Sequence, residues 1–79
     1  MENKDVISLN KLPIGKIGFV HSLLSEGNER RRMLDLGVVP NTRIEALYKS
    51  PSGDPIAYFI RGAVIAFRNE DAQKIYVRF

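Results

Sequence analysis

The stretch from residue 29 to residue 42, ERRRMLDLGVVPNT, constrains the fold most, because it holds a helix, the end of that helix and the start of a strand. Asn28 is predicted to cap the helix, and Glu29 places a negative charge where the helix dipole favours it. We therefore expect a short helix over 29–36 that docks on a sheet. Its predicted apolar side consists of Met33, Leu34 and Leu36.

Turn-forming residues delimit the other elements. Gly37 is at a position where helices commonly end in the left-handed conformation, which glycine adopts without steric cost. Pro40 then turns the chain out of the helix, and dense turn chemistry spans 51–55. Gly62 is predicted to have a positive φ in a tight reversal. The residues to which we assign a structural role in turns are Gly37, Pro40, Gly53, Asp54, Pro55 and Gly62.

Between the turns, apolar residues recur with a period of two, which predicts strands. We expect Ile17 and Phe19 to face the interior from the first strand, and Ala72 to face it from a helical turn before the last strand. The predicted inward residues of the second and third strands are Ile44, Ala46, Tyr48, Ile56, Tyr58 and Ile60. The five strands are predicted at 15–24, 43–48, 56–60, 64–68 and 75–79.

A short, curved antiparallel sheet would expose its edges unless it closed on itself. The chain of 79 residues is short enough for one domain and has no cysteine to form a disulfide. We therefore predict a mainly β fold over residues 1–79, a small SH3-like β-barrel with the 29–36 helix inserted between its first two strands. Asn69 is predicted to cap a C-terminal helical turn over 69–74.

The composition excludes several classes of protein. Absence of cysteine removes thiolate metal sites and cysteine nucleophiles. No run approaches the roughly 18 apolar residues of a transmembrane helix, so we expect no membrane insertion. The polar start MENKDVISLN has no apolar signal core, which favours the cytoplasm. The net charge of +3 is modest beside the concentrated basic faces of dedicated nucleic-acid binders.

Three segments together resemble one protein family. ERRRMLDLGVVPNT is followed by SPSGDPIAYFIRG and then by AFRNEDAQKIYV, and in this order and spacing the chain resembles the FeoA domain of bacterial ferrous-iron transport systems. The resemblance extends from Leu9 to Val77. One departure is Asn41, where the family generally has glycine; asparagine tolerates the left-handed conformation, so the turn is expected to survive.

The resemblance implies an SH3-like fold and a small, cytoplasmic, non-enzymatic accessory protein of Fe(II) uptake. Its implied partner is the cytosolic, GTP-hydrolysing part of the FeoB membrane transporter. The same domain also occurs at the C-terminus of metal-dependent repressors. Since the chain starts shortly before its first barrel element, the free-standing accessory form is the expected one.

The candidate partner-binding surface combines basic and apolar residues. Consecutive arginines on a helix diverge by about 100°, so one of the three at 30–32 is expected to pack against the barrel and pair with Asp35 or Glu29. Three apolar strand residues lie opposite the face assigned to the interior and are expected to form an exposed stripe. The predicted partner-binding residues are Arg30, Arg31, Arg32, Leu47, Phe59 and Tyr76.

Catalytic and metal sites are not predicted. The sequence contains no Walker loop, no HExxH and no Ser-His-Asp set, and His21 is a lone histidine without ligand spacing. We therefore expect no enzymatic activity, no cofactor and no tight metal site. The alternative function is a nucleic-acid-binding barrel that uses Arg30–Arg32, Arg61 and Arg68 on phosphates. Interspersed acids such as Glu45 and Glu70 break up these basic clusters, so no nucleic-acid partner is expected.

Overall fold

Six short strands and two helices make up residues 5–79, the part of the chain that the computed structural model describes. Strand β1 is followed by a 3-10 turn at Leu9–Lys11, helix α1 connects β2 to β3, and helix α2 precedes β6. The strands are β1 (Val6–Ser8), β2 (Ile17–Leu23), β3 (Arg43–Lys49), β4 (Ile56–Ile60), β5 (Ala63–Phe67) and β6 (Ile75–Arg78), and the helices are α1 (Gly27–Asp35) and α2 (Asn69–Ala72).

All six strands belong to one sheet, in the order β1-β6-β2-β3-β4-β5, and every neighbouring pair is antiparallel. The predicted mainly β fold, with a helix inserted between the first two long strands, is confirmed. Sequence analysis missed β1, because a strand of three residues is too short to show a period of two. This strand pairs with the end of the chain, Val6 opposite Arg78 and Ser8 opposite Tyr76.

One apolar core lies on the inner face of this sheet. Tyr58 is its largest fully buried side chain, and its hydroxyl donates to the carbonyl of Leu9 at 3.4 Å. Burial raises the pKa of Tyr58, since the ionised phenol would lose its hydration. The predicted inward residues Ile56, Tyr58 and Ile60 are confirmed, as is Ala72. The other fully buried large side chains are Leu9, Val20, Met33, Val38, Ile44, Ile75 and Val77.

Strand β2 turns the opposite face inward from the one predicted. Gly18 and Val20 are buried, whereas Ile17 is 38% and Phe19 41% exposed. The backbone of β6 lies close to Gly18, because a Cβ there would be only 3.1 Å from a methyl group of Val77. The residue without a side chain therefore faces the crowded interior, and the phenyl ring is left outside.

Strand β3 departs from strict alternation at its end. Ile44 and Ala46 are buried as predicted, but Tyr48 is 60% exposed. The pairing of β3 with β4 shifts register between Ala46 and Tyr48. A bulge adds one residue on one strand, so the side chains beyond it change face, and the prediction for Tyr48 is wrong for that reason.

Helix boundaries also differ from the prediction. Helix α1 begins at Gly27 after Glu26, so Asn28 is not its N-cap, and Leu34 is largely exposed while Met33 and Leu36 pack on the core. Asn69 is the first residue of α2 rather than its cap. Its backbone N–H donates instead to Asp54 Oδ1 at 2.9 Å, so the β3–β4 hairpin supplies the capping oxygen.

The turn residues behave as predicted where backbone conformation tests them. Gly37 has φ +97° just after α1, and the N–H of Val38 donates back to the carbonyl of Met33 at 3.0 Å, which closes the helix end. Gly53 and Gly62 also have positive φ, and Asn41 adopts φ +75° where the family generally has glycine. Pro40 lies in the turn that leads to β3, and the carbonyl of Pro55 accepts from Ser50 N–H across the hairpin at 3.0 Å.

Candidate functional site

The six predicted partner-binding residues do not form one surface. The three arginines are on α1, Phe59 is on β4, and Leu47 lies at the bulge of β3. Tyr76 is on β6, where it pairs with Ser8 and Ser22, and two strands separate it from Phe59. Leu47, Phe59 and Tyr76 are all half-buried. The predicted exposed apolar stripe is therefore wrong, because the bulge and the position of β6 beside β1 disperse its members.

The helix arginines diverge, as three consecutive helical residues must. Arg30 makes a long hydrogen bond to the carbonyl of Leu23 at 3.5 Å, and Arg31 is exposed. Arg32 lies 3.8 Å from Asp71, a residue of α2, rather than beside the predicted Asp35 or Glu29. One of the three thus holds α1 to α2, while Arg30 and Arg31 keep their charge toward solvent.

A small carboxylate cluster accompanies that link. Glu29 on α1 accepts a hydrogen bond from Lys74 Nζ at 3.4 Å. Burial, followed by the neighbouring carboxyl of Glu29, raises the pKa of Asp71. The hydrogen bond with Asp71, followed by the one with Lys74, lowers the pKa of Glu29. The cluster is a contact between α1 and the α2–β6 segment, and we assign it a structural role.

A row of exposed basic and aromatic side chains crosses the outer face of the sheet. Phe19 on β2 is directly opposite Arg43 on β3 and Arg78 on β6, so the three side chains project from the same face. Arg61 follows β4 immediately and lines one groove with Arg43. We call Arg78, Phe19, Arg43 and Arg61 the arginine row.

Two depressions flank the row. The larger, of about 510 Å³, has Arg43 and Arg61 on its sides together with Phe59 and the turn that contains Asn41. The smaller, of about 320 Å³, is apolar except for one guanidinium and is formed by Ile17, Phe19, Arg78 and Phe79. The row therefore alternates charged and apolar binding surface.

Two members of the row are held in place by their neighbours. The aliphatic stem of Arg61 packs directly on Gly37, and a Cβ at that position would overlap Arg61 Cδ. Arg78 Nη2 donates to Asn41 Oδ1 at 2.9 Å. The end of α1 thus positions one guanidinium, and the left-handed Asn41 positions the other.

Sequence reasoning missed this row because it assigned Phe19 to the core. The available signal was the glycine at 18, which leaves the inner side of β2 without a large residue next to Phe19. Arg43 and Arg78 were also visible as strand residues of the outward parity. Their juxtaposition required the pairing of β6 with β2, which is not readable from local periodicity.

Within residues 5–79, no three His, Cys, Asp or Glu side chains converge in a way that could hold a metal ion. The same residues contain no helix long and apolar enough to cross a membrane. His21 is exposed, and its Nδ1 lies 3.1 Å from Ser22 Oγ. The groups brought together on the sheet are suited to binding carboxylates or phosphates and apolar side chains.

Comparisons with known proteins identify the family. The FeoA domain matches residues 7–79. A FeoA-like protein from Clostridium acetobutylicum is 35% identical, with 98% of this chain and 88% of that chain covered and a TM-score of 0.85. FeoA from Chlorobium tepidum is 33% identical over 92% of this chain and 70% of that chain, with a TM-score of 0.86.

A third structure is FeoA from Stenotrophomonas maltophilia complexed with zinc, described as an SH3 domain protein. It is 25% identical, covers 90% of this chain and 88% of its own, and has a TM-score of 0.80. A manganese-dependent transcriptional repressor, 19% identical with a TM-score of 0.84, shares the fold alone. No curated protein sequence matches this chain significantly. The SH3-like prediction is thus confirmed, and the chain belongs to the FeoA domain family.

Proposed function

We propose that this protein is a cytoplasmic, non-catalytic accessory factor of bacterial ferrous-iron uptake that binds the cytosolic part of a FeoB-type transporter. The observation that carries this proposal is the match of the FeoA domain to residues 7–79. The relative from Stenotrophomonas maltophilia is described as a candidate activating factor for ferrous iron transport. A regulatory role of this kind requires a binding surface and no reacting groups.

The exposed charges support a protein partner. Within residues 5–79, ion pairs within 4 Å join only Arg32 to Asp71 and Lys74 to Glu29. Several exposed arginines therefore keep guanidinium groups free for a partner's carboxylates, and arginine is enriched in protein interfaces. The partner-binding residues predicted from sequence, on α1 and on the two sheet regions, stay part of this proposal.

The nucleic-acid alternative has less support. Glu45 is on the outer face between Ile17 and Phe59, in the row of residues next to Phe19 and Arg43. A phosphate backbone that followed the arginines would pass this carboxylate, and like charges oppose such binding. Direct tight binding of Fe(II) or Zn(II) is also not proposed, because the described side chains offer no convergent ligand set.

The test is a titration of the ¹⁵N-labelled chain with the isolated cytosolic domain of a FeoB-type transporter from the same source. We expect saturable amide shifts, and a parallel titration with a single-stranded oligonucleotide at two salt concentrations should give none. Salt-sensitive shifts with the oligonucleotide alone would refute the transporter partner, since phosphate binding weakens steeply with salt.

A further inference from the structure

We infer that the arginine row is the docking surface for an acidic segment of a protein partner, one that places an apolar side chain between its carboxylates. This inference rests on the proposed function in taking the partner to be a protein. It adds the chemistry of the recognised segment and the residues that read it. The four residues of the row come from different parts of the chain and meet only in the folded sheet.

The first argument is charge complementarity. Arg43, Arg61 and Arg78 lie on one face, and in the described part of the chain no carboxylate is within 4 Å of any of them. Like charges placed side by side repel, so three neighbouring guanidinium groups favour an anionic ligand. Guanidinium also matches carboxylate geometry with two parallel hydrogen bonds.

The second argument is the alternation of chemistry along the row. Neighbouring strands are about 4.8 Å apart, so the guanidinium-bearing positions 78 and 43 are separated by about 10 Å with Phe19 between them. In an extended peptide, every second side chain is on the same side at a spacing of about 6.7 Å. A segment of the form acid-x-apolar-x-acid therefore spans the row from Arg78 to the Arg43–Arg61 groove, with its apolar residue over Phe19.

The third argument is that the receiving groups are already positioned. Asn41 holds Arg78 through a 2.9 Å hydrogen bond, and Gly37 supports the stem of Arg61. Ordering a long side chain before binding removes part of the entropic cost of association. Beside Arg78, the depression formed by Ile17, Phe19 and Phe79 is concave and apolar, which suits an aliphatic side chain better than a stacked base.

The experiment uses the full-length chain, ¹⁵N-labelled, and an acetylated peptide with the core Asp-Ser-Leu-Ser-Asp. We expect shifts in β2, β3 and β6, with binding weakened at least threefold when the peptide's Leu is replaced by Ser or its Asp residues by Asn. Arg43→Gln should weaken binding about tenfold, because a charge-assisted hydrogen bond is lost. The matched control, Arg31→Gln on α1, removes an exposed arginine outside the row and should change affinity less than twofold.

Asn41→Gly tests the positioning of Arg78 separately. Glycine adopts the same positive φ, so the turn is kept while the acceptor for Arg78 is lost. We expect peptide affinity to fall about threefold, because Arg78 must then be ordered on binding, and the backbone amide shifts of β3 to stay near their wild-type positions.

Three outcomes overturn the inference. These are no peptide binding at millimolar concentration, shifts centred on α1, or tighter binding of a ten-nucleotide oligo-dT to the same row. The transporter's cytosolic domain separates this inference from the proposed function. If that domain binds wild type and Arg43→Gln equally, the row is refuted while the transporter partnership stands. If the peptide binds the row but the domain does not bind, the partnership is refuted while the row stands.

Discussion

Strands β2 and β4 have similar apolar content but distribute it differently between the two faces of the sheet. In β4, the large residues Ile56, Tyr58 and Ile60 all face the core. In β2, the core receives Gly18 and Val20, while Phe19 faces outward between two arginines. Both strands alternate with a period of two, so periodicity alone does not tell which face is buried.

The difference comes from what packs against each strand. The inward side of β4 lies in the widest part of the core, where the ring of Tyr58 is 5.9 Å from the ring of Phe67. The inward side of β2 at Gly18 is filled by the backbone and methyl groups of β6. Side-chain volume is thus used for stability in β4, and in β2 an aromatic ring becomes available for binding.

The largest expected effect tests the inner face of β4. Tyr58→Ala removes the largest buried side chain and leaves a cavity, which should lower the free energy of unfolding by about 3–5 kcal/mol. A domain of this size commonly has about 4–12 kcal/mol in total, so the variant should be close to unfolded at 37 °C. Urea denaturation followed by circular dichroism measures the change.

The control for this variant is Tyr58→Phe, which keeps the ring and loses only the 3.4 Å hydrogen bond to Leu9. It should cost about 1 kcal/mol. A Tyr58→Ala midpoint equal to that of wild type would mean that β4 is not the centre of the core, and the comparison with β2 would fail.

The parts of the fold that sequence predicts well are those set by local backbone chemistry and large inward side chains. Gly37 is a left-handed helix end, and β4 is a buried strand, because each is determined within a few residues. The N-caps at Asn28 and Asn69 were predicted wrongly, since the second helix obtains its capping oxygen from Asp54, fifteen positions away in sequence. Local propensity does not anticipate a remote cap.

The candidate surface shows the same limit. Arg30, Arg31 and Arg32 were visible as a charged run, and their divergence on α1 follows from helix geometry. The arginine row depends instead on β6 lying between β1 and β2, so that residue 78 meets residue 19. A contact between residues so far apart in the chain is a property of topology. Sequence analysis therefore found the arginines of the helix and missed those of the sheet.

A smaller effect is expected at the inner face of β2. Gly18→Val adds a side chain where even a Cβ would be 3.1 Å from Val77 and 3.2 Å from the carbonyl of Arg78. Overpacking of this kind typically costs about 1–3 kcal/mol, although valine is the better strand former. Thermal and urea unfolding measure it. A more stable variant would show that the space beside Gly18 is open and that the close approach of β6 does not explain the orientation of β2.

The smallest effect is expected at the next residue, on the other face. Phe19→Thr keeps a good strand former and removes a ring that is 41% exposed, so only its cross-strand contacts with Arg43 and Arg78 are lost. We expect a change of at most about 1 kcal/mol in the free energy of unfolding. The adjacent control, Val20→Thr, buries a hydroxyl at a fully buried site and should cost about 1–3 kcal/mol. Urea denaturation of both variants under the same conditions gives the comparison directly. If Phe19→Thr is the more destabilised of the two, the ring belongs to the core, the two faces of β2 are assigned wrongly, and Phe19 is not free to receive a partner's side chain.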